Sequence, residues 1–152
     1  MRIKIVCVGR LKEKYLKEAC AEYEKRISGF GRISIIEVLD ESDSLPAALS
    51  IEADRILKNI KETEHVITLE ISGEQVSSEG LAVKLSELAV RGISDIAFII
   101  GGSNGLHPSV SEKANQRMAL SNMTFPHQLA RVILLEQIYR AYKINNNEKY
   151  HK

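Results

Sequence analysis

Ile96-Ala97-Phe98-Ile99-Ile100-Gly101-Gly102-Ser103-Asn104-Gly105 is the stretch on which the fold turns. Its first five residues are apolar with no polar alternation, so they expect burial on both faces, as in an interior parallel strand. The three glycines that follow allow positive φ and let a ligand come close to the main chain. Ligands of open α/β sheets bind just past the carboxyl ends of strands. The stretch therefore reads as the end of a central strand opening onto a site, although a glycine-rich turn can also be a plain link to a helix.

Working outward, the same alternation of strand and helix recurs. Residues 2–9 (RIKIVCVG) are rich in β-branched residues and end on Gly9. From 11 to 27 the apolar residues recur at the spacing of one helix face, and Ser28-Gly29 stops them. Residues 33–39 form a second strand. Ser44 and Pro46 mark the start of a helix carrying Leu49, Ala53, Ile56, Leu57 and Ile60. His65 to Ile71 is a third strand, closed by Ser72-Gly73. Ser77 or Ser78 caps a helix with Leu81, Leu85, Leu88 and Ala89, and Gly92 lies past its end. After the glycine loop, Ser109-Val110-Ser111-Glu112 has the spacing of a capping box and predicts a helix to about Arg117. Ala119 to Phe125 reads equally as strand or loop. A last helix is expected from about Pro126 to Ile144, apolar almost all round, which a core and a partner subunit together would cover. β-α units in series predict a parallel sheet with helices on both faces, in one domain spanning 1–152.

The totals are those of a globular chain with a core: 44% hydrophobic, 27% charged and a net charge of +1. Near neutrality excludes a global basic field, so any nucleic-acid contact needs a local patch. Cys7 and Cys20 sit in apolar patterns without metal-ligand spacing and read as buried free thiols of a cytoplasmic protein. The apolar start is too short for a signal peptide or a membrane span.

Three chemistries compete for the polar residues. Gly101-Gly102-Ser103-Asn104-Gly105 fits Gly-x-Ser-x-Gly in letters, but Pro108 intervenes before the helix, so a hydrolase using Ser103 ranks last. The histidines at 65, 107, 127 and 151 share no metal-binding spacing, and no metal is expected. From Pro126 to Lys152 there are five basic residues against two acidic, with Tyr139, Tyr142 and Tyr150 interleaved. Cations for phosphates and rings for unstacked bases suit single-stranded RNA. Yet Glu136 and Arg140 are spaced to pair along a helix, and the tyrosines could belong to the core. A non-catalytic RNA- or nucleotide-binding module stays open on these residues.

A pattern spread over the whole chain goes further. Val8-Gly9-Arg10-Leu11-Lys12, Leu69-Glu70-Ile71-Ser72-Gly73, Gly101 to Leu106, Leu120-Ser121-Asn122-Met123-Thr124-Phe125-Pro126-His127-Gln128, Arg131, Glu136 to Ala141 and Tyr150-His151 resemble the ribosomal RNA large subunit methyltransferase H family, of the SPOUT class. The resemblance implies a SPOUT α/β fold with a carboxyl-terminal trefoil knot. It implies N3-methylation of a pseudouridine in helix 69 of 23S rRNA, on assembled ribosomes, by a homodimer using S-adenosylmethionine. It places the cofactor against Leu69, Gly101, Leu120, Ser121, Asn122, Met123, Thr124 and Phe125. Arg140, Tyr150 and His151 are the catalytic candidates, the last two reaching across the dimer. Lys149 departs from the small residue or proline that some members carry before the terminal Tyr-His.

Overall fold

The computed structural model describes residues 1–152. Five strands and five helices follow in order: β1 Arg2–Val8, α1 Lys14–Ile27, β2 Arg32–Val38, α2 Ala48–Leu57, β3 His65–Gln75, α3 Ser78–Val90, β4 Asp95–Ile100, α4 Pro108–Lys113, β5 Gln116–Ala119 and α5 His127–Asn145. The strands form one sheet in the order β2-β1-β4-β3-β5, with every pairing parallel. No helix is long and apolar enough to cross a membrane.

β1, β4 and β3 are the interior strands, and β1 pairs β4 with Ile5 opposite Phe98 and Cys7 opposite Ile100. Alternate side chains go to opposite faces. Ile3, Ile5, Cys7, Ile96, Phe98 and Ile100 join residues of α1, α3 and α5 in a core of 18 buried residues. Val6, Val8, Val66 and Ile99 join Ala53 of α2 and Val110 of α4 in a core of eight. The expected two-sided sheet is thus present, and its thicker side holds α5. That helix is buried at Leu134, Leu135, Ile138 and Ala141 and half-buried at Val132, Ile133, Tyr139 and Tyr142.

Several boundaries differ from the sequence expectation, each for a local reason. α1 begins at Lys14, because the chain first runs through an extended Glu13. Ser44 does not cap α2: its hydroxyl meets that of Ser42 at 2.8 Å, and the helix starts after Ala47. β3 does not stop at Ser72-Gly73 but runs to Gln75 through a register shift between Leu69 and Glu74. A Cβ on Gly73 would lie 2.7 Å from the Met118 carbonyl carbon, so this glycine lets β3 press against the β5 backbone. The capping box at Ser109 does not form. His107 is the cap, its Nδ1 accepting from the Ser109 N–H, and α4 ends at Lys113. Residues 116 and 117, expected as the end of that helix, open strand β5 instead, and of the segment 119–125, read as strand or loop, Ala119 closes β5 and the rest is loop.

Candidate active site

The carboxyl ends of β3 and β4 and the loop from β5 to α5 enclose a cleft of about 840 Å³. Its walls are Leu69 to Ser72, Ile100 to Ser103 with Gly105 and Leu106, and Ala119 to His127 apart from Asn122, with Ala130 beneath. A second hollow, about 560 Å³, lies at the amino ends of the strands and is largely polar. That is the wrong end for a ligand site in an open parallel sheet, and the ion pairs Arg2–Asp95 and Lys4–Glu64 lie among its lining residues.

Of the glycines in the loop, only Gly105 takes a positive φ, at +77°. Gly101 serves close approach instead: a Cβ there would stand 2.5 Å from the Gly105 carbonyl oxygen. Ser103 does not behave as a nucleophile. Its hydroxyl donates to the Asp43 carboxylate at 2.9 Å, and the Asn104 amide donates to the same group at 3.0 Å. No histidine bonds Ser103, so the arrangement gives it no base. On the far wall, Glu70 accepts from the Thr68 hydroxyl at 2.6 Å and from the Ser111 hydroxyl at 2.7 Å. Ile71 and Met123 stand on the rim, 71% and 72% exposed, as apolar surface that a ligand would cover.

The cofactor residues named from sequence converge here, since Leu69, Gly101, Leu120, Ser121, Met123, Thr124 and Phe125 all line the cleft. Asn122 sits exposed on the bend and does not line it. The catalytic candidates gather elsewhere. Arg140 Nε donates to Glu136 Oε1 at 3.0 Å, and its Nη2 bonds the same oxygen. Tyr150 donates to that oxygen at 3.1 Å, with the Arg140 guanidinium 4.7 Å from its ring centre. His151 Nδ1 lies 3.1 Å from Arg140 Nη1 and its Nε2 lies 2.7 Å from Glu79 Oε1. Arg140 can only donate, so the arrangement suits a neutral imidazole with its proton on Nε2. Burial, and then the bond to Glu136, push the Tyr150 hydroxyl up to about 12, so it stays a donor at neutral pH. Tyr139 and Tyr142 do not present free faces for bases. Tyr139 packs on Tyr23 and Phe30, and Tyr142 stacks on Phe30 at 5.6 Å.

Comparison with known proteins agrees with this geometry. The family model described as "Predicted SPOUT methyltransferase" matches residues 1–151. The ribosomal RNA large subunit methyltransferase H of Ruminiclostridium cellulolyticum is 54% identical, and that of Bifidobacterium animalis subsp. lactis 50%, each covering the whole of both chains. The chain belongs to the ribosomal RNA large subunit methyltransferase H family of SPOUT methyltransferases. The fold recurs in a probable methylase family protein from Haemophilus influenzae (TM-score 0.57, 19% identity, 99% of this chain and 70% of that one). It recurs again in a tRNA methyltransferase from Aquifex aeolicus (TM-score 0.56, 14% identity, 92% and 70%).

SPOUT methyltransferases use S-adenosylmethionine, and the cleft suits it. Its volume falls in the range of small-molecule sites, about 300–1,000 Å³, and about half its lining residues are hydrophobic. Glu70 is the only acidic or basic residue among them apart from His127, so the one fixed charge offered to a sulfonium cation is an anion. Glu70 and His127 line the cleft without having been expected there from the sequence. Their signal was position, one residue beyond Leu69 and the first residue of α5, rather than residue type.

Proposed function

We propose that this methyltransferase methylates N3 of a pseudouridine in helix 69 of 23S rRNA on the assembled ribosome, as a cytoplasmic homodimer of one 152-residue domain. The observation that carries the reading is the cleft itself. Three loops far apart in sequence meet around it at the end of the sheet where such sites lie, in a chain matching the family end to end. The link from β5 to α5 crosses the ends of β3 and β4, passing the cleft before α5 begins; this path supports the trefoil knot.

When bound, S-adenosylmethionine supplies a methyl group already activated by a positive sulfur. The chain must then position the acceptor and dispose of one proton. The guanidinium of Arg140 favours the N3 anion, as an opposite charge lowers any acid's pKa. Tyr150, a donor up to about pH 12, holds the nucleotide rather than taking its proton. His151 Nδ1, once released from Arg140, is the proton acceptor.

Distance supports the dimer. Arg140 is ten residues from Ala130 in the cleft floor, about 15 Å along the helix, too far for one chain's tail cluster to serve its own cleft without moving. A second copy would bring its Arg140, Tyr150 and His151 to the cleft of the first. Mass spectrometry of 23S rRNA from cells lacking the protein tests the substrate, with loss of one methyl from helix 69 expected. An unaltered helix 69 would overturn it. Mixing an Arg140→Ala chain with a Gly101→Val chain tests the shared site. Each is inactive alone, and heterodimers regain one working site. No recovery means that the site is complete within one chain.

A further inference from the structure

We propose that Arg10 and Lys12, on the loop between β1 and α1, grip phosphates of the RNA beside the cleft. The inference rests on the proposed rRNA substrate. The loops leaving the carboxyl ends of the strands span 9–13, 39–47, 101–107 and 120–126, and Arg10 and Lys12 are the only lysine or arginine among them. Both are exposed, and neither has a carboxylate within ion-pair distance, unlike Arg55, Arg131 and Arg140. Glu37 feels the charge of Arg10 but bonds Arg131 and the Leu11 N–H instead.

Their place matters as much as their charge. Gly9, next to Arg10, lies beside both the cleft wall and the β2–α2 loop: a Cβ there would lie 3.7 Å from His127 Nε2 and 4.0 Å from the Asp40 carboxyl carbon. The neighbouring loop carries Asp40, Glu41 and Asp43 and no cation of its own; Glu41 pairs with Arg55 of α2, and Asp40 and Asp43 have no cation within ion-pair distance. A polyanion approaching the cleft therefore meets attraction on the β1 side and repulsion on the β2–α2 side. That asymmetry fixes on which side of the mouth the backbone lies. The target base lies over the cleft and the flanking phosphates over Arg10 and Lys12. Such contacts position the RNA without reading its sequence.

The test is co-sedimentation of the dimer with ribosomes across a salt series, for the wild type and the Arg10→Ala/Lys12→Ala double variant. S-adenosylmethionine affinity and oligomeric state are measured alongside. The expected result is about tenfold weaker ribosome binding and a salt slope shallower by about 1.5, with cofactor affinity and the dimer unchanged. Equal binding and slope in the two proteins would overturn the grip. So would a double variant that loses cofactor affinity or dissociates, since the loop would then shape the cleft or the dimer. A wild type that binds ribosomes through this rim but does not methylate them would overturn the proposed reaction and leave the grip standing.

Discussion

The two halves of α5 each carry an arginine bonded to a glutamate, and the two pairs differ in almost everything else. Arg131 is 2% exposed. Its Nη1 donates to Glu37 on β2 at 2.6 Å and its Nη2 to the Gly9 carbonyl at 3.1 Å, tying the first turns of the helix to the ends of β1 and β2. Burial alone would raise the Glu37 carboxyl, but Arg131 and the Leu11 N–H outweigh it and hold the group below its ordinary range. Arg140 instead pairs within its own helix, with Glu136, and its remaining partners come from the tail. The first pair joins elements distant in sequence and has no freedom. The second is local, a quarter exposed, and can exchange Glu136, Tyr150 or His151 for a substrate. An arginine that holds the fold and one that can serve chemistry are told apart by who their partners are, not by the presence of an ion pair.

The contrast can be broken by experiment. Arg140→Ala should lower methylation of ribosomes by about a thousandfold while urea unfolding and cofactor affinity stay near wild type. A variant that also loses several kcal/mol of stability would erase the distinction. Arg131→Ala should do the reverse, costing about 3 kcal/mol in a denaturant titration through the space left by the buried guanidinium, the unpaired Gly9 carbonyl and the lost bond to Glu37. Its folded fraction should keep cofactor binding. Gly101→Ala should weaken S-adenosylmethionine binding about tenfold by calorimetry, because the new Cβ meets backbone 2.5 Å away and the loop must shift. Near-normal binding would mean that this wall is soft. One effect is silent at neutral pH and concerns the core near Arg131. Burial pushes the Cys7 thiol up to about 12 and that of Cys20 to about 11, from an ordinary 9.0. Both are neutral in the fold and ionise more readily when unfolded. The stability they lend is complete below pH 9 and fades as pH rises through 11 and 12, by about 1.4 kcal/mol per pH unit for each thiol. An alkaline series of urea melts measures it, and the native protein should resist thiol alkylation at neutral pH.

The sheet was legible because interior strands announce themselves: Ile96 to Ile100 and Ile3 to Val8 have no other use for so many β-branched residues. β5 was not, since Gln116-Arg117-Met118-Ala119 is short and polar at a sheet edge, and the letters before it imitate a helix start. Gly73 looked like a strand terminator and is a point of contact between strands. Most of the cleft was legible from the rule that strand ends hold ligands, together with the family pattern at 120–125. The cluster at Arg140 was half legible. The spacing of Glu136 and Arg140 announced their pair, but the return of Tyr150 and His151 onto it depends on a tail with no periodicity to read.

The cleft draws one wall from residues 69–72, one from 100–106 and the last from 119–127. A chain still being synthesised has two of these walls and no third, so it cannot hold the methyl donor until the segment leading into α5 has emerged and settled. Donor binding is therefore a report on completed folding, and occupancy should protect the whole domain from unfolding rather than one loop.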